Sequence, residues 1–321
     1  MFDIVMPLYN KEKFVEEAVC SVLSQTYENW RLFVVDDGST DRSAELVRNH
    51  PDPRITLIQQ SNEGVGPARN AAIRAGRSEW IAFLDADDVW ATDHLAELDA
   101  LRTEFADAAL IGCAFRRFRD TLARPSMSRA PVERRLARYF AESARGSELL
   151  VTSSAAVPRA FIERIGPFED LPGNEDVELW VRLALNGPVA VSSRATVYYR
   201  VDTGGITDGG MGDRKPKTRP VRREELSSTI TPLERALPNV ADERLREDII
   251  AYMDSRIGIR VASAVLEGDI LYARQLLSLF DGAPRGQART AALIARLPVG
   301  VAKSVIVVRR GLKRLVGNSK L

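Results

Sequence analysis

Only two cysteines and two histidines occur among the 321 residues. Cys20 and Cys113 lie inside apolar stretches and are expected in the core of a protein from a reducing compartment. They cannot build a Cys-rich zinc site, and His50 and His94 lack metal-ligand spacing. His94 reads as a helix residue and His50 as a loop residue, so a Ser-His or Cys-His nucleophile is not expected. Met1-Phe2-Asp3-Ile4-Val5 carries no basic n-region, which argues against a signal peptide. No apolar run approaches the ~20 residues that span a bilayer. A cytoplasmic location is the expectation.

With 45% hydrophobic and 28% charged residues, the composition is that of a soluble globular chain rather than a disordered one. At about 100–200 residues per domain, one large domain or one plus an appendage is expected. Charge is balanced overall, 45 basic residues against 44 acidic, so nucleic acid is not an expected partner. The balance hides an asymmetry: nine basic and no acidic residues follow Asp281, leaving 36 basic against 44 acidic before it.

Four β-like runs recur near the start: Asp3 to Leu8, Leu32 to Asp36, Ile55 to Ile58 and Trp80 to Asp85. Leu32-Phe33-Val34-Val35 is continuously apolar, as a strand covered on both faces should be. Between the runs lie helical patterns. Phe14, Val15, Ala18, Val19, Val22 and Leu23 fall on one stripe, Ser43 to Val47 follows suit, and Pro67 to Ala75 places Pro67 at a first helical position. The alternation predicts a parallel sheet with right-handed crossovers, whose ligands sit at the C-terminal strand ends. Leu110 to Phe115, Leu149 to Val157 and Val197 to Arg200 read as later strands, and Asn174-Glu175-Asp176 leads into a helix.

Each early run ends in polar residues: Pro7-Leu8-Tyr9-Asn10, Asp36-Asp37-Gly38-Ser39-Thr40-Asp41, Asn62 to Asn70, and Asp85-Ala86-Asp87-Asp88. Carboxylates gathered on one sheet edge repel unless a cation joins them, and a hard divalent cation suits oxygen ligands. The plainer use of Asp36, Asp41 and Asp88 is to cap turns and helix starts.

In order, these motifs resemble the family-2 glycosyltransferases of GT-A fold. The Tyr-Asn pair is followed by Ser21-Val22-Leu23-Ser24-Gln25-Thr26-Tyr27, the Asp-Asp-Gly-Ser-Thr-Asp turn at 36–41, and Gly64 to Asn70. Then come the Asp85-x-Asp87 pair and Glu175-Asp176 before Trp180, so the likeness covers roughly residues 2–207. The resemblance implies an α/β GT-A (Rossmann-like) fold, a mostly parallel sheet flanked by helices. It also implies an inverting, metal-dependent transfer of a sugar from a nucleotide-sugar donor, UDP-sugar favoured, to a hydroxyl of a glycan or lipid-linked acceptor. It assigns donor binding to Pro7, Tyr9, Asn10, Asp37, Arg69, Asp85 and Ala86, with Asp37 reaching the base and Arg69 neutralising the diphosphate or bracing Asp37. It assigns Mg²⁺ or Mn²⁺ to Asp87, and the general base to Asp176. The sequence departs from the family at Asp202 and Gly205, where a His and a Ser are usual; Asp202 is a second candidate ligand for a hard cation.

Residues 1–212 are expected to form the GT-A domain, 213–223 a basic linker, and 224–321 a helical region with a basic amphipathic tail. The tail reads in two ways: attachment to an anionic membrane surface at the cytoplasmic face, or packing on the acidic part of the chain, within one copy or in a homo-oligomer. A catalytically silent sugar-nucleotide-binding protein on the same fold is the alternative function. A nucleotidyltransferase ranks lower, since Leu8 to Lys13 has no glycine to form a phosphate loop.

Overall fold

A computed structural model describes residues 1–119, 131–171, 174–201, 203, 223–267, 269–278, 286–298 and 301. The chain divides into two compact units, one of Met1–Tyr139 with Glu148–Pro216, the other of Phe140–Ser147 with Lys217–Leu321.

The first unit is built on a mixed sheet. Strands β1 (Phe2–Leu8), β2 (Trp30–Asp36), β3 (Ile55–Gln59) and β4 (Trp80–Phe83) are all parallel, in the spatial order β3-β2-β1-β4. Between them run α1 (Val15–Leu23), α2 (Ser43–Arg48) and α3 (Val65–Ala75). The apolar stripe of α1 packs inward through Val15, Ala18, Val19 and Val22, as its spacing predicts. Cys20 on the same helix faces solvent, contrary to expectation, because it lies off that stripe; Cys113 is buried. Gln25, just beyond α1, is a structural clamp. Its amide donates to the carbonyls of Ser21 and Ala91, and its Oε1 accepts from Leu95 N.

Helix α3 begins at Val65, so Pro67 is its third residue rather than its first. Gly64 precedes it at φ 102°, a backbone angle that favours glycine. A side chain at Gly66 would come within 2.9 Å of the Glu169 carbonyl, so that position admits only glycine's close approach.

The second half of the unit adds β5 (Val89–Trp90), α4 (His94–Glu104), β6 (Leu110–Phe118) and β7 (Arg134–Ala137); α5 (Tyr139–Ala144) follows in sequence but belongs, from Phe140 on, to the second unit. A 3₁₀ turn at Thr152–Ser154 then leads into β8 (Ala155–Pro158), α6 (Arg159–Ile165), α7 (Glu175–Asn186) and β9 (Val189–Arg200). The stretch expected as a strand from Leu149 is therefore strand only from Ala155, and β5 and β7 are additional strands. Strand β8 runs antiparallel to both β4 and β6, while β9 runs parallel to β6. The end of β9 and the start of β8 consequently lie at the same edge as the ends of β1, β2 and β4. That edge carries the site.

The second unit is helical: α8 (Arg223–Ala236), α9 (Glu243–Glu267), α10 (Ile270–Leu277) and α11 (Gly286–Arg296). Ile257, Val261, Ala264, Val265, Ile270, Ala273, Leu276 and Ile294 form its apolar core. Arg274 donates to the carbonyls of Ala295 and Leu297, 2.7 Å each, satisfying carbonyl groups left open at the end of α11. Phe140, from the segment inserted between β7 and β8, meets Tyr252 edge to face at 5.5 Å. The expected linker lies outside the described residues except for Arg223, and the tail beyond Val301 lies outside them entirely. No helix of the described residues is long and apolar enough to cross a membrane.

Candidate active site at the sheet edge

The turn after β4 is the centre of the site. Asp88 is buried, and both its oxygens are occupied: Ser153 Oγ donates to Oδ2 at 2.5 Å, and Arg200 N to Oδ1 at 2.7 Å. Burial, with Asp87 and Asp85 close by, raises the Asp88 carboxyl well above the usual carboxylate range. It is followed by β5, not by a helix, so it caps no helix start. Ser153 Oγ also accepts from Asp85 N at 3.0 Å, and Ser153 O accepts from Trp90 Nε1 at 2.6 Å. Arg200 holds the turn from the other side: its Nε donates to Asp87 O at 2.8 Å and its guanidinium pairs with Glu17. That guanidinium is flanked by the rings of Phe118 and Phe14, at 4.4 and 4.9 Å from their centroids.

With the turn so fixed, Asp85 and Asp87 project differently. Asp85 Oδ1 takes a 2.7 Å ion pair from Arg69, whose other terminal nitrogen reaches Glu175 Oε1 at 2.6 Å. Arg69 is buried; although burial works against its charge, Asp85 and Glu175 outweigh it and push its pKa up. Burial raises both carboxyls of the pair, with Arg69 pulling the other way. Arg69 thus bridges the turn after β4 to the start of α7 and does not brace Asp37. Asp87 Oδ2 lies 2.5 Å from Lys11 Nζ, which is also 3.4 Å from Thr203 Oγ1.

Asp176, the second residue of α7, stands among acidic neighbours in the helix's first turn, where the helix dipole favours negative charge. Its Oδ2 accepts from Thr152 Oγ1 at 2.7 Å and its Oδ1 from Val177 N at 2.7 Å. A carboxylate has about four lone-pair positions, so Asp176 keeps acceptor capacity for a further proton donor. Trp180 is core: it is buried, with its ring edge to face on Phe83 at 5.7 Å.

The remaining predicted donor residues, Ala86 of the β4 turn apart, gather at the ends of β1 and β2. Asp37 is buried and holds the approach to α3, accepting from Gln60 Nε2, Glu63 N and Gly64 N at 2.8, 2.9 and 2.9 Å. Asn10 sits at φ 52° and its Oδ1 accepts from Thr40 N at 2.8 Å, while its N–H donates to Ser39 Oγ. Tyr9 is exposed and Pro7 half-buried. Ala86 lies in the main apolar core, so it faces a ligand only through its backbone. Asp36 and Asp41 are the turn braces of the plainer reading, the former accepting from Ser39 N and the latter from Ser43 N and Glu12 N. Asp202 lies outside the described residues.

Residues that sequence reasoning missed are Lys11, Thr152 and Ser153. The run Thr152-Ser153-Ser154 before an apolar strand was the available signal for the latter two.

Among the described residues no group of three or more His, Cys, Asp or Glu side chains converges on a metal position. Asp88 is used internally and Asp85 is held by the buried Arg69, whereas Asp87 is held by Lys11, whose ammonium ends a flexible stem; Asp87 is therefore the carboxylate that a metal ion would take. One carboxylate is the donor set of a small hard cation that takes its other ligands from substrate phosphates and water. The residues fit a divalent ion in that mode, with the phosphates completing it.

The family model described as Glycosyl transferase family 2 matches residues 3–164, half of the chain. Over 96 residues the chain is 41% identical to the UDP-Glc:alpha-D-GlcNAc-diphosphoundecaprenol beta-1,3-glucosyltransferase WfgD of Escherichia coli, covering 30% of this chain and 38% of that protein. Over 117 residues it is 36% identical to the uncharacterized glycosyltransferase EpsJ of Bacillus subtilis, covering 36% and 34%. The matched segments thus span little more than a third of these relatives. Among solved structures, S. aureus TarS 1–349 in complex with UDP-GlcNAc resembles the chain at TM-score 0.56 and 18% identity, covering 90% of each. The mannosyltransferase PcManGT of Pyrobaculum calidifontis, in complex with GDP-Man and Mn²⁺, does so at TM-score 0.50 and 18% identity, covering 98% of this chain and 86% of that one. At these identities the likeness is one of fold.

Proposed function

Since the chain belongs to glycosyl transferase family 2, we propose that it moves a sugar from a nucleotide-sugar donor to a hydroxyl of a glycan or lipid-linked acceptor, with inversion at the anomeric carbon. The observation that carries this reading is the bonded network around Asp85–Asp88. It ties the proposed donor carboxylates to Asp176 through Arg69–Glu175 on one side and the Thr152–Ser153 turn on the other.

In this reading the nucleotide lies over the ends of β1 and β2, between Tyr9, Asn10 and the Asp37 turn. The diphosphate lies against Asp87 and Lys11. A Mg²⁺ or Mn²⁺ ion held by Asp87 supplies Lewis-acid stabilisation of the departing diphosphate. Asp85, oriented by Arg69, faces the ribose. Asp176 accepts the proton of the acceptor hydroxyl as its oxygen attacks the anomeric carbon from the face opposite the nucleotide. Thr152 fixes the rotation of that carboxylate. The relatives fit this picture: WfgD is named for a UDP-sugar donor and a diphosphoundecaprenol acceptor, and the two structural neighbours hold UDP-GlcNAc or GDP-Man. UDP is the favoured nucleotide.

The test is a thermal-shift panel with UDP, GDP, dTDP and CMP, each with Mn²⁺ or EDTA, on wild type and Asp87→Ala. A nucleotide at ~100 times its dissociation constant stabilises the fold by about 2.7 kcal/mol. The expected result is Mn²⁺-dependent stabilisation by one nucleotide, lost in the variant. No shift with any nucleotide on folded protein overturns the donor reading. Binding without turnover, across lipid-linked and free glycan acceptors, supports instead a silent nucleotide-binding protein.

A further inference from the structure

Lys11 is placed unlike the other cations of the site. Arg69 is committed to two carboxylates and Arg200 to Glu17 and backbone. Lys11 has one ionic partner among the described residues, Asp87, at 2.5 Å, and both side chains are less than a fifth exposed. Its backbone is fixed: Lys11 N donates to Ser43 Oγ at 2.8 Å, and its carbonyl accepts from Phe14 N and Val15 N. The ammonium, by contrast, ends a flexible four-carbon stem.

A divalent ion ligated by Asp87 would stand close to the ammonium already bound at Oδ2, and the repulsion between the two positive centres sets them against each other even though the carboxylate has acceptor positions for both. We propose that Lys11 and the divalent cation compete for the Asp87 carboxylate, and that the displaced ammonium turns to the donor's phosphates. The proposal rests on the reading that Asp87 receives the cation. Its consequence is a coupling between two ligands. Without nucleotide, a cation that takes Asp87 strands the Lys11 ammonium in a largely enclosed place. With nucleotide, the ammonium gains a new anionic partner, so each ligand strengthens the other.

The experiment measures free Mn²⁺ by electron paramagnetic resonance. Wild type, Lys11→Met, Lys11→Gln and Asp87→Asn are titrated with and without UDP or GDP, after melting curves confirm that each folds. Without nucleotide, Lys11→Met binds Mn²⁺ about fivefold tighter than wild type, the size of one partly screened ion pair. Lys11→Gln behaves alike, and Asp87→Asn abolishes the site. With nucleotide the advantage shrinks or reverses, and in Mn²⁺ both Lys11 variants bind nucleotide more weakly than wild type does. Unchanged or weaker Mn²⁺ affinity in the nucleotide-free Lys11 variants overturns the competition. Unchanged nucleotide affinity of the Lys11 variants in Mn²⁺ overturns the transfer to phosphate. If no protein shows an Asp87-dependent Mn²⁺ site even with nucleotide, the reading of Asp87 itself falls.

Discussion

The hydroxyl of Thr152 donates to Asp176 Oδ2 at 2.7 Å, joining residues on a 3₁₀ turn and on the first turn of α7. The neighbouring Ser153 grips Asp88 and Asp85 N, so one short turn sets both the proposed base and the proposed cation-binding turn. This makes the start of β8 a second organising point beside the end of β4.

Thr152→Val keeps the branched shape and removes the donor. A hydrogen bond to a charged group is worth about 1.5–3 kcal/mol, so kcat is expected to fall by about tenfold or more. Donor affinity should stay at its wild-type value, and Thr152→Ser should restore the rate. Steady-state kinetics beside nucleotide titration checks this; a fall in donor affinity of equal size would show that Thr152 supports the fold of the site rather than its base.

Arg69→Met leaves Asp85 and the buried Glu175 facing each other without their shared cation. Removing one partner of a buried ion pair costs about 3–5 kcal/mol, and the loss should appear as a lower urea midpoint with an unchanged slope. Arg69→Lys should recover only part of it, because an ammonium reaches one carboxylate where the guanidinium fork reaches two.

Ser153→Ala deprives buried Asp88 of one of its two hydrogen bonds. The expected cost is about 1–3 kcal/mol. Asp88→Asn in the same background should be less than additive with it, as expected for groups sharing one bond. Denaturation of the two single variants and the double variant measures the coupling.

His94 gives a pH signature. It is fully buried, its Nδ1 lies 2.7 Å from Thr196 Oγ1, and burial lowers its pKa from 6.5 to about 3. In the unfolded chain it takes up a proton near pH 6.5; in the folded chain it stays neutral until about pH 3. Stability from this group is therefore fully present well above pH 6.5 and is lost as pH falls, with a slope that approaches about 1.4 kcal/mol per unit once the pH is about a unit below 6.5. Asp88, raised in the folded state, contributes with opposite sign, so the reading is the difference between wild type and His94→Gln. That difference should slope between pH 6.5 and 5; parallel curves would count against it.

The early strands, the polar strand ends and the position of Asp85 and Asp87 are legible in the sequence because a parallel sheet presents, along one edge, the residues just beyond each strand; Asp176, at the start of a helix, is singled out only by the family resemblance. The same rule hides Thr152 and Ser153. Strand β8 runs the other way and offers the residues that precede it. Lys11 is visible only as a loop residue, since its partner Asp87 lies 76 positions away and folding alone brings them together. Arg69 is recognised by motif, but the motif does not disclose its partners: of the two roles it implies, bracing Asp37 is replaced by a fork between Asp85 and Glu175, the latter 106 positions away. Cys20 is misplaced because an apolar neighbourhood in sequence does not say which side of a helix a residue takes.

The segment Phe140–Ser147 belongs to the helical unit although strands of the sheet unit flank it on both sides. A ribosome making this chain releases Phe140 well before Tyr252, the ring it packs against, has been synthesised. Until then that ring lacks the aromatic partner it has in the folded unit. Deleting the chain after residue 216 would leave Phe140–Ser147 without the rest of the unit to which it belongs, a unit begun upstream and completed by the C-terminal helices.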